Sequence, residues 1–145
     1  MAEKLASEFE SRGAQVVVGH RTELTPEHVA SNPPDLLIVG AAVRAFVTSP
    51  PTKKWITRLV AEFRNNNAKI SHAAVFLTHV MPDAMVEGRV ERLQRSLSHA
   101  AGIGQVYSEW LSGQVKNIPG PFVDGALEQA VTFAAHLFEW AQLNS

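Results

Sequence analysis

The chain has 145 residues, 46% of them hydrophobic and 19% charged, with a formal net charge of -1. That length suits one domain able to bury about 70% of its unfolded surface, and the composition is that of an ordinary globular protein rather than a disordered segment or a coiled coil. The near-zero charge excludes the basic excess that nucleic-acid and anionic-membrane binders rely on, and the absence of cysteine excludes disulfides, thiolate metal sites and a cysteine nucleophile within this chain.

The chain opens inside a helical pattern. Leu5 and Phe9 lie four apart on one apolar stripe, and Gly13 supplies the stop. No Ser, Thr, Asp or Asn precedes the stripe to cap its free amides. Gln15-Val16-Val17-Val18 then reads as a short strand buried on both faces. Thr25-Pro26 is a helix start, with Thr25 as cap and Pro26 in the first turn, and Asn32-Pro33-Pro34 breaks that segment. Asp35-Leu36-Leu37-Ile38-Val39-Gly40 is a second buried strand, followed by a predicted loop from Ala41 to Pro51.

A helix is predicted over Thr52–Asn66, with Trp55, Ile56, Leu59, Val60 and Phe63 inward. Ala73–Leu77 is the third strand and leads into Thr78-His79-Val80-Met81-Pro82-Asp83. A helix over Asp83–Ala101 follows, its inner stripe formed by Val86, Val90, Leu93 and Leu97. Gly104–Leu111 alternates partly, as a strand nearer a sheet edge does. A Gly/Pro-rich loop from Gly113 to Gly125 precedes a last helix carrying Leu127, Val131, Ala134, Ala135, Phe138 and Ala141.

Strands that alternate with helices, each strand an apolar run, predict an α/β fold with a mostly parallel sheet covered on both faces. Ligands of such folds gather at the carboxyl ends of the strands, which directs attention to the segments after Gly40 and after Thr78. No stretch approaches the roughly 20 apolar residues of a membrane span. The first residues, Met1-Ala2-Glu3-Lys4-Leu5, do not read as a secretory signal, so the expected location is the cytoplasm. None of the six histidines forms a helical i, i+4 pair, and no metal site is predicted.

Asp35 to Phe46, an apolar strand ending in Gly40 and followed by Ala41-Ala42-Val43-Arg44-Ala45-Phe46, resembles the strand-then-loop pattern of the flavodoxin family. Ser49 to Trp55 resembles that family's passage into its next helix, and Ala74 to His79 its next strand and second ring-contacting loop. The order and spacing of elements agree over nearly the whole chain. The resemblance implies a three-layer flavodoxin-like domain, residues 1–145, that binds FMN and transfers electrons to a redox protein partner or a small-molecule acceptor. Relative to the family, the first strand and the phosphate-binding loop are absent ahead of the first helix, so the expectation is a domain truncated at its N-terminus.

In the family's strand order the absent strand is central. Its loss is expected to leave backbone groups unpaired, at roughly 1–3 kcal/mol each, unless the flanking strands close up or another chain, including a homo-oligomeric copy, supplies or covers the open sheet. By the same resemblance the cofactor-binding residues are Ala41, Ala42, Val43, Arg44, Ala45, Phe46, Thr78, His79, Val80 and Met81. The small residues would admit a flat ring. Arg44 is either a charge beside the ring or a solvated arginine, and Phe46 either a stacking ring or a loop anchor. Thr78 and His79 would hydrogen-bond a flavin or quinone edge, unless His79 is an internally bonded loop histidine. The reading of another class is a flavin-free flavodoxin-like module for protein interaction or self-association. A quinone or NAD(P)H reductase finds no nicotinamide fingerprint here.

Overall fold

The computed structural model describes residues 1–44, 47–48, 50–117 and 120–145. In chain order the elements are α1 (Ala2–Glu10), α2 (Pro26–Ser31), β1 (Leu36–Arg44), β2 (Val47–Thr48), α3 (Pro50–Asn66), β3 (Ile70–His79), a 3-10 turn (Asp83–Met85), α4 (Glu87–Ser98), β4 (Ile103–Gln114) and α5 (Ala126–Leu143). β1, β3 and β4 are parallel, and β2 adds antiparallel at the far end of β1, giving the order β2-β1-β3-β4.

The apolar runs become these strands because each must be buried on both sides. On one face Val39, Ala41, Val43, Ala73, Val75 and Leu77 meet Val29 of α2, Leu59 and Phe63 of α3, and Val90 and Leu97 of α4. On the other, Ala74, Tyr107 and Leu111 meet Leu5 and Phe9 of α1 and Phe133 and Leu137 of α5. Two cores separated by one sheet make the three-layer α/β architecture that the sequence pattern predicts. α2 starts as its sequence dictates, with Thr25 Oγ1 accepting from the His28 amide at 3.2 Å and Pro26 in the first turn. The β1–β3 register runs unbroken from Leu36↔His72 to Ala42↔Thr78. The β3–β4 register shifts between Ala73 and Val75, where the partner jumps from Val106 to Trp110.

Three expectations are corrected. Gln15–Val18 forms no strand; Val17 is 75% exposed and Val18 49%. An apolar run becomes a strand by pairing its backbone, and this run has no ladder partner. The predicted loop from Ala41 to Pro51 is instead a continuation of β1 to Arg44 and a short return in β2, with Pro50 and Pro51 already in the first turn of α3. The helix predicted over Asp83–Ala101 divides, because Asp83 is drawn into a 3-10 turn by a side-chain bond to β4. The regular helix starts only at Glu87.

Candidate functional site

The carboxyl ends of β1 and β3 bring together segments that are remote in sequence. Ala42 and Thr78 are register partners, which places them about 4.8 Å apart across the ladder. Both are half-buried. Thr78 also pairs with Gly113 of β4. A Cβ on Gly113 would lie 3.0 Å from the Leu77 carbonyl oxygen, 3.1 Å from the Thr78 methyl and 3.4 Å from Met1 Cε. Met1 therefore sits over this end of the sheet, and α1 begins there with no side-chain cap on its first-turn amides. Those amides carry the positive end of the helix dipole.

The other predicted site residues divide sharply. Ala41 and Val43 point into the α2/α3/α4 core and are buried. Val80 is 40% exposed, while Met81 packs against the same core. Arg44 ends β1, its side chain outside the described part, and Ala45 and Phe46 lie outside the described residues. At Gly40, where the predicted second strand ends, an added Cβ would run into the Phe76 ring.

His79 is 2% exposed, and its ring is occupied on both nitrogens. Nδ1 lies 2.6 Å from the Met81 carbonyl oxygen, which can only accept, so Nδ1 is the donor. Nε2 lies 3.0 Å from Ser112 Oγ and 3.4 Å from Asp83 Oδ1. Ser112 donates to Asp83 Oδ1 at 2.6 Å. The ring thus ties the end of β3, the turn behind it and β4 into one unit, and Gln114 Nε2 pins the same turn by donating to the Val80 carbonyl at 3.2 Å. Sequence reasoning singled out His79 but not this network. Asp83 and Ser112 stand 29 apart in sequence, and only the parallel register brings them together.

A second feature unforeseen in the sequence is a cleft of about 570 Å³ beside β4, lined among others by Asp83, Glu109, Ser112, Glu128 and His136. It lies on the outer side of β4, not at the Ala42–Thr78 end. Along that side Gln94 of α4 donates to the Tyr107 and Ser108 carbonyls, each at 3.1 Å. The Tyr107 hydroxyl is held above its ordinary pKa, chiefly by burial and further by the neighbouring Glu109 carboxylate.

No family model matches the sequence, and no curated protein matches it. Among solved structures the chain is similar to the rubredoxin:oxygen oxidoreductase of the anaerobe Desulfovibrio gigas, with a TM-score of 0.72 at 14% identity over 99% of this chain. It is likewise similar to a flavodoxin from the domain Archaea, with a TM-score of 0.64 at 14% identity over 97% of this chain and 87% of that one. The fold is flavodoxin-like. The chain spans about a third, 32%, of the Desulfovibrio protein's length.

Two observations bear on whether this flavodoxin-like site suits FMN. On the side where a flavin ring would lie, Ala42 and Thr78 are half-buried neighbours across the ladder and Val80 is exposed. For a phosphate, the first-turn amides of α1, which carry no side-chain cap, are the groups that could serve, since uncapped helix N-termini hold anions through N–H groups and the helix dipole. Among the described residues no helix is long and apolar enough to cross a membrane.

Proposed function

We propose that the chain is a flavodoxin-like redox module that takes FMN at the carboxyl ends of β1 and β3. The observation that supports this most directly is the Ala42–Thr78 pairing at the ligand end of a flavodoxin-like sheet. Bound FMN would supply the capacity to accept and pass on electrons. The protein's own part is to exclude water from one side of the ring with Ala42, Thr78 and Val80, and to offer the amides of α1 to the phosphate. A redox protein or a small-molecule acceptor would receive the electrons at the side left open.

The test is a fluorescence titration of the full chain with FMN and, separately, riboflavin. On this reading the phosphate gains only the amides of α1, so both ligands should be quenched, and their Kd values should differ by less than about a hundredfold, the worth of one or two charge-assisted hydrogen bonds. No quenching of either ligand at tens of micromolar protein would sink the proposal. The flavin-free reading, a module for protein interaction or self-association, draws on the fact that His79 has both ring nitrogens committed internally and offers none to a ring. A chain that stays colourless at saturating FMN would favour it.

A further inference from the structure

We propose that His79, Ser112 and Asp83 form a proton-operated latch: with a proton on His79 Nε2 the turn after β3 is fastened to β4, and loss of that proton releases it. The latch needs no ligand and stands whether or not the strand ends take FMN.

The three side chains share more short contacts than a neutral ring can serve. Nδ1 directs its proton to the Met81 carbonyl at 2.6 Å. Two contacts are left, Nε2 to Ser112 Oγ at 3.0 Å and Ser112 Oγ to Asp83 Oδ1 at 2.6 Å, and each needs a proton between its atoms. With a neutral ring and a carboxylate, only the Ser112 hydroxyl proton is present. If it points to Asp83, the Nε2 lone pair faces Oγ at 3.0 Å and Oδ1 at 3.4 Å with nothing between. If it points to Nε2, Oγ and Oδ1 face each other bare at 2.6 Å. One added proton satisfies both contacts: Nε2–H donates to Ser112, and Ser112 donates to Asp83.

That proton belongs on Nε2 rather than on Asp83. The Asp83 side chain is 53% exposed, so its carboxylate keeps much of its hydration, and aspartic acid is ordinarily the stronger acid by about two to three units. Burial of the His79 ring opposes a charge there. Against this, the Met81 carbonyl, Ser112 and the carboxylate surround it, and the Trp110 ring centroid lies 6.0 Å away, within reach of a cation–π attraction. Of the other charges on the elements packed here, Glu87 of α4 and Glu109 of β4 line the cleft beside Asp83 and add negative potential. Arg89 of α4 donates to the Met85 carbonyl at 2.9 Å, and α3 turns Ile56 and Leu59 to this core while Lys53 and Lys54 are exposed.

With the proton gone, Ser112 can serve His79 or Asp83 but not both. The tie that draws Asp83 into its 3-10 turn is then weakened. The Val86 amide, bonded to the Asp83 carbonyl at 3.0 Å, reports on that turn. Val80 rides on the same segment and is 40% exposed. On the flavin reading, and only there, the Val80 contact with the ring would come and go with the proton.

NMR of the full chain from about pH 5 to pH 9 tests the latch. In the loaded state both His79 ring nitrogens should show the shifts of protonated nitrogens. As Nε2 becomes a lone-pair nitrogen, hydrogen exchange at Val86, corrected for its intrinsic rise with pH, should quicken at least about tenfold with the same midpoint, the worth of one hydrogen bond to a charged group. Asp83→Asn should move the ring midpoint downward by at least about half a unit. Ser112→Ala should leave Val86 exchange independent of the ring, and Ser112→Thr, which keeps the hydroxyl, should restore the coupling. If Ser112→Ala fails to fold, Asp83→Asn decides. A ring that stays in one form throughout the range overturns the proposal, and so does Val86 exchange that ignores the ring in the parent chain or a midpoint that Asp83→Asn does not move.

Discussion

The outer edges of β4 and β1 belong to one sheet and are finished in different ways. β4 carries exposed Gln105, Ser108 and Glu109, a shifted register opposite Ala73–Val75, and Gln94 of α4 donating to its carbonyls. These are the devices that keep a natural edge from recruiting further strands. β1 has none of them between Leu36 and Ala42, and its residues alternate between two apolar cores. β4 is therefore composed as a boundary and β1 as an interior strand. The contrast shows that a strand's place in a sheet is written in its composition.

Gly40 offers the largest lever on this contrast. Gly40→Ala would force the Phe76 ring off the strand, and it should lower stability by about 1–3 kcal/mol in chemical denaturation. In a Phe76→Ala background the same added methyl should cost less than half as much. Equal costs in both backgrounds would mean that the ring does not cover β1. At the other edge, Gln94→Leu removes the donor shared by the Tyr107 and Ser108 carbonyls. The expected loss is roughly 1 kcal/mol, read as a lower Tm, because water can replace part of the bond at exposed Ser108. A variant as stable as the parent would show that the shifted register alone guards β4.

The smallest effect is a titration. The chain has one tyrosine, so tyrosinate absorbance reports Tyr107 alone. Its midpoint should lie above about 10 in the folded protein, fall in urea, and fall partway in Glu109→Gln, since burial is the larger cause and Glu109 the lesser. A raised folded value favours the neutral phenol. Its contribution to stability is thus complete below about pH 10 and is lost as pH climbs through the folded value. A midpoint at the ordinary value would mean that β4 is open to water at Tyr107.

Most of the fold was legible because burial on two faces leaves a plain record. The runs at Asp35–Gly40 and Ala73–Leu77, the Thr25–Pro26 start, and the stripe Ile56, Leu59, Phe63 all formed what their spacing implied. Gln15–Val18 misled because its apolar composition satisfies the rule for a strand, whereas pairing, which composition does not encode, was lacking. The residues after Gly40 read as a loop because Ala and Gly weaken strand propensity, yet register with β3 carries them on to Arg44. At the candidate site Ala42 and Thr78 were singled out by the flavodoxin resemblance and their place after apolar strands, and the parallel register makes them neighbours. The commitment of His79 to Met81 and Ser112 was not, since its partner on β4 is 33 residues away and nothing local announces it.

Met1 lies at the Thr78 end of the sheet, while the carbonyl of Asn144 meets the His72 ring at 3.1 Å near the start of β3. Six residues of extended strand separate those positions, roughly 20 Å. A purification tag or fluorophore appended after Ser145 would thus sit at the pole remote from Ala42 and Thr78, whereas the same label ahead of Met1 would crowd them. A donor–acceptor dye pair on the two ends would measure the length of the sheet itself.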